Sequence, residues 1–137
     1  MPDTIQVEVV AADGVVWEGD ALSIIARTTE GDVGILPGHE PFLASLVVCA
    51  VEILATDGRR DVVLVDDGYI SVAQNRVSLL SQYATVAKQI DADAAHRELL
   101  AVEKRLESGD QDEETLRHYR RAQAQVRAAQ LAAGASR

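Results

Sequence analysis

Apolar and polar positions alternate with a period of two through the first part of the chain. Ile5, Val7 and Val9 alternate with Gln6 and Glu8, and Val51, Ile53 and Ala55 recur at every second position. Successive side chains of a strand point to opposite faces, so this spacing predicts strands with one face turned inward. Asp13-Gly14, Asp57-Gly58 and Asp67-Gly68 punctuate the pattern; glycine accepts the positive φ that tight hairpins demand. The apolar run from Val62 to Val65 precedes Asp67-Gly68, and Tyr69-Ile70-Ser71-Val72 follows it. Asn75-Arg76 then separates that strand from Val77-Ser78-Leu79-Leu80. Leu22 to Thr29 and Leu46 to Leu54 alternate less cleanly, as strands covered on both faces do. Many short β-branched strands between turn signals predict a sandwich or a flattened barrel.

The period changes near residue 88. Ala95, Leu99, Val102 and Leu106 recur at helical spacing and form one narrow stripe. Asp91 or Asp93 can cap the start of this helix, and Gly109 can end it. Asp112 can cap a second helix, with Glu113 and Glu114 in its first turn facing the positive end of the helix dipole. Leu116, Tyr119, Ala122 or Gln123, Val126, and Ala129 or Gln130 form its stripe, and Glu113 and Arg117 are spaced for an i,i+4 pair. The expected architecture is an all-β sandwich or flattened barrel over residues 1–87, followed by an α-helical hairpin over residues 88–137. Thr85 to Gln89 is the only linker candidate. Alanine-rich stripes bury little area, at about 25 cal/mol per Å², so the hairpin leans on another surface and is held modestly. Mobility is the natural expectation.

The chain has 137 residues, of which 47% are hydrophobic and 26% charged. It can therefore bury a real core without a disulfide or metal staple. The single cysteine, Cys49, cannot form an internal bridge, which suits a reducing compartment. No basic-then-apolar leader opens the sequence. No apolar run approaches the roughly 18 residues of a membrane span, so contact with a membrane is expected to run through a partner. The net charge of −9 is uneven. Residues 1–87 carry 13 acidic against 4 basic side chains, whereas residues 88–137 carry 9 of each. After Glu114 come Arg117, Arg120, Arg121, Arg127 and Arg137 with no acid among them. A cationic end segment on an acidic body points to an acidic partner for that segment.

The chemically richest stretch is Glu-Gly-Asp-Val-Gly-Ile-Leu-Pro-Gly-His-Glu-Pro, from Glu30 to Pro41. A Walker-type phosphate loop does not fit: Gly31 and Gly34 are too close, no lysine follows, and Pro37 lacks a backbone donor. A dinucleotide fingerprint fails because the stretch opens no amphipathic helix. His39 beside Glu40 offers a weak base-and-orienter pair, since adjacent residues of an extended loop point apart. His96 and His118 read as solvated helix residues, and the three histidines fall on different elements, which argues against a metal cluster. Trp17 reads as core or edge packing. Gly31, Gly34 and Gly38 permit sharp backbone turns, and Pro37 and Pro41 fix φ and restrict the residues before them. The result is a stiff loop exposing Asp32 and His39. On physics alone it is either a contact surface or simply a tight sandwich corner.

Glu30-Gly31-Asp32-Val33-Gly34-Ile35-Leu36-Pro37-Gly38-His39 with Pro41 resembles the signature loop of the epsilon subunit of F-type ATP synthases. Asp67-Gly68-Tyr69-Ile70-Ser71-Val72 and Asn75 to Leu80 resemble two further strands of that family, and the likeness spans essentially the whole chain. It implies a non-catalytic rotor subunit of a proton-transporting complex, peripheral on the cytoplasmic face of a bacterial membrane. The sandwich would bind the gamma subunit and sit on the c-ring, with Asp32 and His39 at the ring contact. The hairpin would lie folded on the sandwich or extend into the catalytic head. In the extended form Arg117, Arg120, Arg121 and Arg127 would meet acidic residues of the beta subunit, in the alpha/beta head, and restrain ATP hydrolysis.

Some members of that family bind ATP on the hairpin through Ile/Leu-Asp-x-x-Arg-Ala and two later arginines. Here Asp91 and Arg121 match, but Ala94 replaces the motif arginine and Gln125 stands at the second later position. ATP binding is expected to be weak or absent, and no other cofactor is implied. Many members carry Pro-Gly near Val48-Cys49, so a continuous strand is expected here instead of a turn. The rival reading is an independent sandwich module whose arginine helix binds an acidic polymer such as nucleic acid, which the −9 body opposes. An enzyme centred on His39 ranks third.

Overall fold

The computed structural model describes residues 3–135. Nine strands precede two helices: β1 (Ile5–Ala11), β2 (Gly14–Thr28), β3 (Gly31–Ile35), β4 (Phe42–Leu46), β5 (Cys49–Ala55), β6 (Arg60–Asp66), β7 (Gly68–Ala73), β8 (Arg76–Leu80) and β9 (Tyr83–Val86), then α1 (Ala92–Glu107) and α2 (Glu113–Ala135). The strands follow the order β1-β8-β7-β4-β2-β5-β6-β9, with β3 on β2 and a further β1–β2 pairing. β1 and β8 run parallel; the other pairs are antiparallel.

The 15-residue β2 explains how the two layers close on one core. Its first half pairs with β1, and its second half pairs with β3 and β5. Ile5, Val7 and Val9 of β1, Ile24 of β2, Ile35 of β3, Val51 and Ile53 of β5, Val63 and Val65 of β6, and Val77 and Leu79 of β8 meet between the layers, each almost fully buried. Trp17 packs at the edge of this core and its indole N–H donates to Asp61 Oδ2 at 2.9 Å.

The hairpin covers the outer face of β5 and β6. Val63 and Val65 point into the sandwich, while Val62 and Leu64 pack against Ala124, Ala128 and Ala132 of α2. A strand sandwiched in this way has no polar face, which is why Val62 to Val65 is an unbroken apolar run. Asp91 Oδ1 accepts from the Ala94 N–H at 3.1 Å and caps α1, and Gly109 follows its end at φ +98°. Asp112 Oδ1 caps α2 from the Thr115 N–H at 2.8 Å.

Four expectations change. The continuous strand expected through Val47-Val48 is broken there, because β4 pairs with β7 while β5 pairs with β2 and β6. The chain changes layers at Val47, whose N–H bonds to Arg27 O at 3.2 Å. Thr85 to Gln89 is no free linker: Thr85 and Val86 lie in β9, and Ala87, buried under α2, opens a 3₁₀ turn. His118 is not simply solvated, since its Nε2 lies 2.6 Å from Glu98 Oε1 and joins the two helices. Glu113 and Arg117 form no ion pair among the described residues; instead Arg105 reaches Asp110 and Thr115 across the turn between the helices.

Candidate functional site

The loop from Glu30 to Pro41 is built in three parts. The β2–β3 turn is fastened by Thr28, which is buried: its hydroxyl donates to Gly31 O at 2.9 Å and accepts from the Glu30 N–H at 3.1 Å. Arg27 and Asp32 face each other across β2 and β3, with Nε 2.8 Å from Oδ1. This hydrogen bond and the guanidinium charge hold the Asp32 carboxyl below its ordinary value and raise Arg27. Asp32 is therefore exposed but already neutralised within its own hairpin.

Leu36-Pro37-Gly38-His39 forms the second part. Proline at its second position and glycine at φ +84° at its third match a type II turn, closed by the His39 N–H to Leu36 O at 3.1 Å. His39 turns its Nδ1–H to the Glu40 carbonyl oxygen at 2.7 Å and sets its ring edge-on to Phe42, with centroids 5.9 Å apart. It is half-buried and does not meet the Glu40 carboxylate, so the base-and-orienter pair is not formed. Leu36 and Leu43, 61% and 72% exposed, flank the turn and give this end of the sandwich an apolar rim.

The third part is a tether that sequence reading missed. Asn75, expected to separate two strands and to open the family-like stretch to Leu80, accepts the Gly38 N–H on Oδ1 at 3.0 Å and donates from Nδ2 to Thr4 O. A second apolar surface lies on the β1-β8-β7 face. The strand register aligns Val10, Leu80 and Tyr69 in one row, with Leu80 and Tyr69 about half exposed.

At the hairpin, Arg121 lies against Asp66, whereas Arg117, Arg120 and Arg127 form no ion pair among the described residues. These three line one wall of a groove of about 530 Å³ between α2 and the sandwich, opposite Arg27, Asp32 and Cys49. Burial pushes the Cys49 thiol up from its ordinary value. Asp91 and Arg121 are already committed, one to capping α1 and the other to Asp66. Arg137 lies outside the described residues.

A closed sandwich with this loop and a docked hairpin defines the class. The family model described as "ATP synthase, Delta/Epsilon chain, beta-sandwich domain" matches residues 4–87. The ATP synthase epsilon chain of Cutibacterium acnes is 45% identical over 136 residues, covering 93% of each chain. That of Streptomyces avermitilis is 48% identical over 99 residues, covering 72% of this chain and 80% of the other. The chain belongs to the ATP synthase epsilon chain family. Its fold is also that of a chain in the Euglena gracilis mitochondrial ATP synthase, with a TM-score of 0.74 at 21% identity over 100% of this chain and 84% of that one. A chain of the Tetrahymena thermophila mitochondrial ATP synthase central stalk and c-ring matches with a TM-score of 0.57 at 16% identity, over 93% and 94%.

Proposed function

We propose that this chain is the central-stalk epsilon subunit of a bacterial F-type ATP synthase, a part of the rotor that makes and breaks no bonds itself. Its sandwich holds the gamma subunit, its loop rests on the c-ring, and torque from proton flow passes through it towards ATP synthesis. The observation that carries this reading is the loop. Pro37 and Gly38 pre-set a turn that presents Leu36, flanked by Leu43 and an Asp32 whose charge Arg27 already balances. A pre-shaped contact loses little conformational freedom on binding and little torque to loop strain. The row of Val10, Leu80 and Tyr69 supplies a surface suited to a second partner, which we assign to gamma.

The hairpin acts as a brake on ATP hydrolysis. It docks through alanines and, among the described residues, one ion pair, so a folded and an extended position can lie close in energy. Arg117, Arg120 and Arg127, which form no ion pair among the described residues, suit acidic residues of the catalytic head. Nucleotide binding on the hairpin is weak or absent, because Ala94 and Gln125 remove two cations and Asp91 and Arg121 are engaged elsewhere. Among the described residues no helix is long and apolar enough to cross a membrane, and the subunit sits peripherally on the cytoplasmic face through its partners.

Co-purification with gamma tests the assignment. ATPase activity of the assembled complex, compared with full-length chain and with residues 91–137 deleted, tests the brake. Deletion is expected to raise hydrolysis; equal rates would remove the inhibitory role.

A further inference from the structure

The six residues Leu36 to Pro41 leave β3 at Ile35 and enter β4 at Phe42. Within that span one backbone bond is internal, from the His39 N–H to Leu36 O. Among the described residues, a single hydrogen bond ties the span to another segment: the Gly38 N–H to Asn75 Oδ1 at 3.0 Å. The third residue of a type II turn has no partner for its N–H inside the turn, so Asn75 satisfies a donor that would otherwise face solvent.

The same carboxamide donates to Thr4 O, and the Asn75 backbone oxygen accepts from the Gln6 N–H at 3.0 Å. Asn75 thus joins three stretches distant in sequence: the start of β1, the β7–β8 turn and the loop. That turn holds two residues, Gln74 at φ +51° and Asn75 at φ +65°, closed by the Ala73–Arg76 pair. Two successive left-handed residues make a type I′ turn, whose second position favours glycine most strongly. Asparagine is tolerated there but gains nothing for the turn over glycine. The side chain is what asparagine adds, and the side chain is the tether.

We propose that Asn75 is the positioning residue of the rotor-contact loop, setting where Leu36 and Gly38 stand relative to the sandwich. This rests on the rotor reading above and names the residue through which the loop keeps its shape under load. Without the carboxamide the loop remains attached only at its two strand ends. It then swings as a flap and stores torque as bending.

The experiment uses Asn75→Gly, which suits the turn geometry and removes only the side chain. In the isolated chain, amide exchange at Gly38 is expected to quicken about tenfold, the scale set by one hydrogen bond. The melting temperature should move by only a few degrees. In the assembled complex, the ATP synthesis rate and the protons pumped per ATP hydrolysed should both fall while assembly is unchanged. Asn75→Asp, which keeps an acceptor for Gly38, should leave Gly38 exchange slow. Unchanged Gly38 exchange in Asn75→Gly would overturn the tether. Faster exchange with undiminished coupling would overturn the positioning role. A wild-type chain that never joined a gamma-containing rotor would overturn the rotor reading and the coupling role together, and the exchange result would then describe loop mechanics alone.

Discussion

Arg121 Nε lies 2.6 Å from Asp66 Oδ2, joining the middle of α2 to the end of β6. The Nε atom is buried and its N–H is not aimed at the oxygen, so the contact is an ion pair without hydrogen-bond alignment. The Asp66 side chain is 11% exposed against 41% for Arg121. The carboxylate is thus the member that depends on its partner. Beside an alanine stripe that repeats every four residues, this pair distinguishes one docking register from another shifted by a turn.

Arg121→Ala leaves Asp66 beneath α2 without a cation. The expected loss in docking is about 1–3 kcal/mol, between the values for exposed and for buried pairs. Amide exchange across Ala124 to Ala132 should quicken while the sandwich stays protected. Replacing both partners by leucine should restore much of the protection, since no buried charge remains. Unaltered exchange in the single variant would show that alanine packing alone holds the helix.

Ala128 is fully buried against Val62 and Leu64. Ala128→Leu forces three more carbons between helix and strand, at a cost of about 1–3 kcal/mol. Limited proteolysis should cut the hairpin faster and leave the sandwich intact. In the assembled complex the freed hairpin favours its extended position, so ATP hydrolysis should fall. A hairpin as resistant as the wild type would contradict docking through this face.

Gly68 lies at φ +127°, and a Cβ there would stand 1.9 Å from Leu80 O on the neighbouring strand. Gly68→Ala must break the β7–β8 register or the turn before it, and should cost about 4 kcal/mol or more in a denaturant titration. Gly34→Ala is the contrast, since its Cβ would meet nothing within 4 Å. A small effect at Gly68 would mean that β7 and β8 are not packed so closely.

The Thr115 N–H, donating to Oδ1 at 2.8 Å, holds the Asp112 carboxyl below its ordinary 3.8. A carboxylate with a depressed folded-state value stabilises fully above that ordinary value and loses the contribution as pH falls through the depressed one. The helical signal of α2 should therefore weaken on acidification in that window. Asp112→Asn, which caps without titrating, should flatten that limb. Equal acid curves for the two proteins would exclude the cap as the cause.

Much of this was legible residue by residue. The alternation of Ile5, Val7 and Val9 marks the inward face of β1, Asp91 and Asp112 cap the helices they precede, and Gly109 follows the end of α1. The stripe of Ala95 and Val102 faces inward as its spacing requires. Ala124, Ala128 and Ala132 lie outside the stripe expected for α2, because alanine is as common on solvated helix faces as on docked ones. Asp66 carries no signal of its own beside the turn dipeptide Asp67-Gly68, and Asn75 reads as the punctuation between two strands.

Periodicity along the chain was enough to decide which elements form, which face of each strand is apolar, and where the loop stiffens, because these depend on neighbours two to four residues away. Folding alone decided that α2 lies on β6, that Arg121 finds Asp66, and that Asn75 reaches both Gly38 and Thr4. Those partners lie 55, 37 and 71 positions apart. Their meeting is set by the closure of the whole sandwich and by competition among many similar side chains, which no local spacing records.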